Sequence, residues 1–385
     1  MRDRGGAFFD WVRYDVQPTV HTPLPANGTS YEAGAAAALS VNATDNVAVS
    51  VVYANVTVPN GTIVRATLTD ANSDGVYEVD FTDTEQTGNY TARYVANDTS
   101  SHIDHINATH QIRFQTVPSD VVSVSACQTI SSAGKYALTA SVSATGTCFT
   151  ITADDVQFDC RTSSVTYATS TEGRAFEIET RKNVTVANCT INQGGTIDNS
   201  KAIFLRKTND STLRNNTIYT RNSLAQGIRL DNQSNFNTVI NNRMYSNGSQ
   251  AIIIVNSTNN TIRDNYATTN SSSGAFVLNN FAQYNTITNN TAVANTGPGF
   301  QLITDVLRNI FINNTGYGFS GSSSAGIYVQ ISSHNNSFIG NNASGNSTFG
   351  FVIINSNNNT IEAGTSFSNG TTSFIAQASE HTVLT

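Results

Sequence analysis

From about residue 150 onward the chain repeats one pattern of apolar and polar positions roughly every 23 to 28 residues. Each copy opens on a small–apolar–x–apolar run: Ala175-Phe176-Glu177-Ile178, Ala202-Ile203-Phe204-Leu205, Gly227-Ile228-Arg229-Leu230, Ala251-Ile252-Ile253-Ile254, Ala275-Phe276-Val277-Leu278, Gly299-Phe300-Gln301-Leu302, Gly326-Ile327-Tyr328-Val329 and Gly350-Phe351-Val352-Ile353. About ten residues later comes Asn-Thr-apolar, clearest at Asn237-Thr238-Val239, Asn260-Thr261-Ile262, Asn285-Thr286-Ile287 and Asn359-Thr360-Ile361. Alternation over a few residues is strand periodicity, and no stretch sustains the i, i+3, i+4 spacing of a helix. A coil of two or three short strands cannot bury its own inner face. Stacked coils can, with every strand paired in parallel to its copies above and below, so the period predicts a parallel β-helix solenoid. The inward row of its first sheet is then Phe176, Ile203, Ile228, Ile252, Phe276, Phe300, Ile327, Phe351 and Phe374. The competing solenoid, a leucine-rich horseshoe, lacks its leucine consensus here.

Asparagine keeps the same register. Asn216, Asn242, Asn265, Asn290, Asn314 and Asn341 follow the apolar residue of the Asn-Thr-apolar strand by three positions; Asn237, Asn260, Asn285, Asn309, Asn336 and Asn359 precede it by two. A buried bend leaves main-chain groups to satisfy, and asparagine tolerates the left-handed backbone while bonding to main chain and to its own copy one coil away. Two internal asparagine ladders are expected, each rung worth about 1 kcal/mol net.

These repeats resemble the right-handed parallel β-helix proteins of the pectin-lyase-like class, and specifically the NosD-like surface and periplasmic repeat group. The segment Cys127-Gln-Thr-Ile through Gly146-Thr-Cys148-Phe-Thr-Ile to Cys160 is similar to the cap and first coil of that group, and the resemblance covers roughly residues 121–385. It implies the fold; the architecture itself hosts lyases, hydrolases, epimerases and inert stalks alike. The NosD comparison also implies copper handling, but the coils lack the clustered His and Met that such a role needs, and it is not carried over.

Residues 17–118 have a different texture. Short alternating runs at 37–41, 47–58, 63–68, 76–81, 90–95 and 112–114 are punctuated by Pro-Asn-Gly, Asn-Ser-Asp-Gly and Thr-Gly-Asn turns, which argues for an immunoglobulin-like β-sandwich. Gly88-Asn89-Tyr90-Thr91 looks like the tyrosine corner of such folds. The expected organisation is a stub at 1–16, the sandwich at 17–118 and the β-helix at 119–385, an all-β chain throughout. Within the stub, Phe8-Phe9-Asp10-Trp11-Val12-Arg13-Tyr14 resembles the closing strand of a lectin-like sandwich, and the far end stops mid-coil, so the chain reads as a fragment or processed unit.

Only 12% of the 385 residues are charged, the net charge is −7 and no basic run occurs, which argues against nucleic acid or an anionic membrane as partner. No apolar stretch approaches bilayer-spanning length, and no signal peptide is visible at the start. Four cysteines suit an oxidising compartment. Cys127 and Cys148 flank the cap, and Cys160 and Cys189 fall at one bend of adjacent coils, so both pairs are expected as disulfides; a four-thiolate metal site is the rival, without C-x-x-C spacing in support.

Asn-x-Ser/Thr patterns number roughly two dozen, about twice what composition gives. In the first domain they start at Asn27, Asn42, Asn55, Asn60, Asn89, Asn97 and Asn107; in the β-helix at Asn183, Asn188, Asn209, Asn215, Asn232, Asn247, Asn256, Asn259, Asn270, Asn289, Asn313, Asn335, Asn342, Asn346, Asn358 and Asn369. No ladder asparagine begins one, whereas Asn215, Asn259, Asn289, Asn313, Asn335 and Asn358 each stand immediately before a ladder residue. A buried amide cannot carry a glycan and its outward neighbour can. Heavy N-glycosylation and an extracellular or cell-surface location, in an archaeal or eukaryotic setting or a virus of such a host, are the expectation.

Candidate chemistry is sparse. Asp70-x-Asn72-x-Asp74-Gly75 has the opening spacing of a calcium loop, but Phe81 stands where the bidentate Glu belongs, and an Asx-rich hairpin turn is the plainer reading. His102, His105 and His110 with Asp104 make a poor metal site, since 102 and 105 face opposite sides of a strand. The outward row of the first sheet, Glu177, Phe204, Arg229, Ile253, Val277, Gln301, Tyr328, Val352 and Ile375, does not read as a catalytic groove. The nearest candidate set is Arg229, Asp231, Arg263 and Asp264, but Arg229 and Arg263 fall on different sheets, and solvated charges at bends are the plainer reading. Phe204, Ile253, Val277, Tyr328, Val352 and Ile375 instead read as an exposed apolar stripe that a second protomer, the sandwich domain or a filament neighbour would cover. The leading expectation is a non-catalytic surface glycoprotein, serving as stalk, adhesin or filament subunit; the alternative is a carbohydrate-active β-helix enzyme or a carbohydrate-binding module.

Overall fold

The computed structural model describes residues 18–384 apart from 46–47, 99–102, 105–110, 118–119, 162, 322–323, 347–348 and 371. The stub, Asn107, His102, His105 and His110 lie outside the described residues. Among those described every regular element is a strand. The chain divides into two compact units, Met1–Asp120 and Val121–Thr385, two residues later than the sequence suggested.

The first unit holds two sheets around one core. Thr19–Leu24, Ala37–Thr44 and Val76–Phe81 form one sheet; Thr29–Glu32, Gln111–Val117, Gly88–Asp98, Val49–Thr57 and Ile63–Leu68 follow in that order across the other. Thr29–Glu32 runs parallel to Gln111–Val117, while the remaining main pairings are antiparallel. Alternating residues from both sheets, among them Leu39, Val41, Val52, Val56, Tyr90 and Phe114, build the core. The Tyr90 hydroxyl donates to Gln86 O at 2.8 Å, the upstream main-chain bond that a tyrosine corner makes.

The second unit is a right-handed parallel β-helix. Its first sheet, running from Gln128–Ile130 to Thr372–Gln377, has 11 strands among the described residues; the second, from Val121–Val124 to Val383–Leu384, has 12; the third, from Val142–Ser143 to Thr365–Ser368, has 10. All pairings are parallel and in register from coil to coil, as in Phe176↔Ile203↔Ile228↔Ile252↔Phe276↔Phe300↔Ile327↔Phe351. That row is buried through Phe351, and Phe374 packs against it at the last coil. Stacked phenyl rings continue the order, with Phe276 and Phe300 centred 5.3 Å apart.

The small residue that opens each first-sheet run has a steric cause. A Cβ on Gly326 would lie 2.3 Å from Ser344 N, and one on Gly227 2.3 Å from Ala251 O. Backbone lies too close at these two positions for any Cβ, so glycine is required there, while Ala175, Ala202, Ala251 and Ala275 fill the equivalent place in other coils.

Both ladders form. The Oδ1 of each asparagine accepts the main-chain N–H of its counterpart one coil earlier: Asn216 N to Asn242, Asn242 N to Asn265, Asn265 N to Asn290 and Asn290 N to Asn314, at 2.9 to 3.0 Å. The other bend repeats this from Asn237 to Asn359 at 2.8 to 3.0 Å. Cys189 occupies a rung of the first ladder, donating its N–H to Asn216 Oδ1 at 3.1 Å. It is disulfide-bonded to Cys160 with Cα atoms 4.8 Å apart, the rung spacing of a sheet, and Cys127 is bonded to Cys148. No described cysteine is free, so the thiolate metal site is excluded.

Candidate active site on the first sheet

Three neighbouring strands of the first sheet, Arg174–Glu179, Lys201–Arg206 and Gln226–Asp231, place charged residues side by side. Register stacks Arg174 on Lys201 on Gln226, Glu177 on Phe204 on Arg229, and Glu179 on Arg206 on Asp231. Phe204 is the apolar floor, 7% exposed, with the Arg174 guanidinium 5.6 Å and the Lys201 ammonium 5.8 Å from its ring centre.

The ion pairs run along and across the strands. Arg174 bonds Glu172 at 3.0 Å and approaches Glu177 at 3.7 Å; Arg229 bonds Asp231 at 3.2 Å and donates to Gln226 Oε1 at 3.3 Å; Arg206 bonds Glu179 at 3.1 Å. The buried Nε of Arg229 has no hydrogen-bond partner among the described residues. Lys201 donates to Asn199 O at 2.6 Å and has no carboxylate within ion-pair distance among the described residues. Burial lowers its pKa first, Arg174 and Arg229 lower it further, and Glu172 and Asp231 offset part of this.

Such a group is a lysine disposed to act as a proton acceptor, set between two guanidiniums suited to a carboxylate and two carboxylates suited to hydroxyls. Strand parity hides it. Residues 174 and 177 should face opposite ways, yet the paired ladder skips Ala175, Ala202 and Gly227, and the irregularity brings Arg174 onto the face of Glu177. A reading along one outward row therefore found Glu177, Phe204 and Arg229 and missed Arg174 and Lys201.

The proposed set of Arg229, Asp231, Arg263 and Asp264 is split. Arg229 and Asp231 belong to this face, while Arg263 pairs with Asp264 at 2.8 Å at the end of a second-sheet strand. The apolar stripe is also corrected. Phe204, Ile253, Val277 and Val352 are buried within the chain, and Tyr328 and Ile375 are half-buried. Ile253 and Val277 form a small cluster of their own with Val255 and Ile303, so the row offers no exposed apolar face to a partner.

In the first unit Asp70 accepts the N–H groups of Asp74 and Gly75 at 3.1 and 3.0 Å, Asp74 accepts that of Val76 at 2.8 Å, and Asn72 bonds Asp74 at 2.9 Å. These are the bonds of an Asx-rich hairpin turn. On the β-helix, Asn215, Asn259, Asn289, Asn313, Asn335 and Asn358 are exposed beside buried ladder neighbours. All six also have φ between 53° and 57°, a backbone reason for asparagine that is independent of any sugar. No helix of the described residues is long and apolar enough to cross a membrane.

Among solved structures, the chain is similar to a family 28 exopolygalacturonase of Yersinia enterocolitica, at 7% identity and a TM-score of 0.33, covering 94% of this chain and 99% of that one. It is similar also to the A-module of the mannuronan C-5 epimerase AlgE6 of Azotobacter vinelandii (12% identity, TM-score 0.38, covering 69% and 79%). CopC of Methylosinus trichosporium OB3b matches at 12% identity and a TM-score of 0.21, over 26% of this chain and 94% of that chain. No curated protein matches. The expectation of a chain that is not an enzyme is withdrawn. Its premise, a first-sheet face without clustered acid, base and charge stabiliser, fails at Arg174, Glu177, Lys201 and Arg229. The family described as a right-handed beta helix region matches residues 114–283, 171–316 and 226–385, well over half of the sequence, and this chain belongs to it.

Proposed function

We propose that this chain is an exported, carbohydrate-active β-helix protein whose first-sheet face engages an acidic, uronate-type polysaccharide. The observation that carries the reading is Lys201, with its lowered proton affinity, held over Phe204 between Arg174 and Arg229. A uronate carboxylate docks on the guanidiniums. Lys201, as the free amine, takes the proton from the carbon beside that carboxylate, and the guanidiniums stabilise the negative charge that moves onto the carboxylate oxygens. The intermediate then expels the neighbouring glycosidic oxygen, which leaves with a proton from the Lys201 ammonium and gives an unsaturated sugar, or takes a proton from water on the opposite face and gives the epimer. Glu177 and Asp231 accept hydrogen bonds from ring hydroxyls.

The two disulfides support a location outside the cytoplasm. The outward sequon asparagines support N-linked sugars at Asn215, Asn259, Asn289, Asn313, Asn335 and Asn358, and the sheet order with Tyr90 supports an immunoglobulin-like first domain.

The test is turnover of alginate and polygalacturonate by the full chain, read by ultraviolet absorbance of unsaturated products and by NMR of the residual polymer. Lys201→Ala is expected to reduce turnover by about a hundredfold or more. Arg206→Ala, on the rim, should retain most of it. Equal activity of Lys201→Ala and the unmodified chain would refute the assignment, as would absence of both binding and turnover across the panel.

A further inference from the structure

The third sheet carries a second, chemically different feature. Its outward row runs Asn192↔Tyr219↔Tyr245↔Thr268 over four coils. The rings of Tyr219 and Tyr245 stack with centres 5.0 Å apart and planes 9° from parallel, and Tyr266 tilts against Tyr245 at 6.0 Å. A small polar residue stands on each side of the Tyr219–Tyr245 pair within the row, so the next rung does not cover it. Tyr219 is 41% exposed. Around the pair lies an open groove of about 560 Å³, within the roughly 300–1,000 Å³ of small-molecule sites, bounded by Asn192, Arg221, Asn247 and Asn270.

The polar groups of the groove repeat at coil spacing. Asn247 Nδ2 donates to Arg221 O at 3.2 Å, and Asn270 Nδ2 donates to Asn247 Oδ1 at 3.0 Å. Each primary amide so used keeps a second N–H and a lone pair for a ligand. No carboxylate lines the groove. Strands in its floor are paired on both sides, which leaves no edge for an extended peptide to join.

We propose that this groove is a binding site for a neutral oligosaccharide, separate from the charged face on the first sheet. The face of Tyr219 turned away from Tyr245, beside Asn192, offers apolar surface to the C–H face of a sugar ring. The amide row and Arg221 pair with hydroxyls that are donor and acceptor at once. A non-catalytic platform of this kind holds glycan on the protein without entering the chemistry at Lys201.

The experiment is calorimetric titration of the full chain with cellohexaose, laminarihexaose and mannohexaose. At least one is expected to bind, and the double variant Tyr219→Ala, Tyr245→Ala to bind it at least about tenfold more weakly, while Tyr219→Phe, Tyr245→Phe stays within about threefold. Both tyrosines lie outside the core cluster, so truncation leaves the fold intact, which far-ultraviolet circular dichroism checks. Lys201→Met should bind the neutral probe unchanged, so failure of the charged-face assignment leaves this one standing. Equal affinity of the double-alanine and unmodified chains would overturn the proposal. So would no binding of any neutral probe at millimolar concentration, or a native glycan on Asn247 or Asn270 occupying the groove.

Discussion

Replacing Asn265 by alanine isolates what one ladder rung contributes. Its Nδ2 lies 2.9 Å from Val239 O, Arg263 O and Asn290 Oδ1, which share its two N–H groups, and its Oδ1 accepts the N–H of Asn242 at 2.9 Å and Asn242 Nδ2 at 3.0 Å. Asn265 is 2% exposed, so water does not take over these bonds. The Asn242 N–H loses its acceptor and becomes a buried orphan, whereas Val239 O sits in a paired strand and loses only its side-chain bond. One such orphan costs about 1–3 kcal/mol, so Asn265→Ala should destabilise by about 2 kcal/mol. Asn289→Gly, one bend position earlier on a neighbouring coil, keeps the left-handed backbone (φ 56°) and removes only an exposed amide, so it should change stability by less than about 1 kcal/mol. Urea titration followed by circular dichroism compares the variants. Hydrogen exchange localises the effect, because a solenoid transmits it chiefly to adjoining coils. Protection should fall first around residues 239–290. Equal stability of Asn265→Ala and Asn289→Gly would refute the reasoning.

Four further outcomes are expected. Tyr167 has a buried hydroxyl with no hydrogen-bond partner among the described residues, and burial raises its pKa; Tyr167→Phe should stabilise the chain by about 1 kcal/mol in urea titration. Removing the buried Cys160–Cys189 disulfide as the double serine variant opens a loop of sequence separation 29 and should cost about 3 kcal/mol. Gly326→Ala drives a Cβ to 2.3 Å from Ser344 N, backbone that cannot yield cheaply, and should lower the melting temperature markedly more than Ala325→Gly. Lys201 has a folded pKa below its ordinary value, so the unfolded chain binds more protons between the two; stability should rise with pH through that window toward the usual lysine range, and urea midpoints of Lys201→Met should lose that rise.

The inward row and the ladders were legible because stacking repeats each side chain over its own copy. Phe276 lies on Ile252 and under Phe300, and Asn265 lies between Asn242 and Asn290, so one coil's pattern tests the next. The charged face was not legible, for a local reason. Sequence parity assumes an unbroken two-residue period, and the irregularity at Ala175, Ala202 and Gly227 resets it just upstream of the motif. The apolar outward row was misread for a related reason: Ile253 and Val277 face away from the main core, yet they are buried in a cluster that the period does not encode. The tyrosine groove depends on three residues, Tyr219, Tyr245 and Tyr266, from two outward columns of the third sheet, and no repeat announces it.

The lowered proton affinity of Lys201 and its meeting with a uronate are measurable together. With the lysines carrying isotopically labelled methyl groups, NMR follows each one through a pH titration, with and without an oligogalacturonate. Lys201, identified by its loss in Lys201→Arg, is predicted to titrate below the other lysines and to shift selectively when the oligosaccharide is added. A resonance that titrates with the other lysines and ignores the sugar would contradict the account.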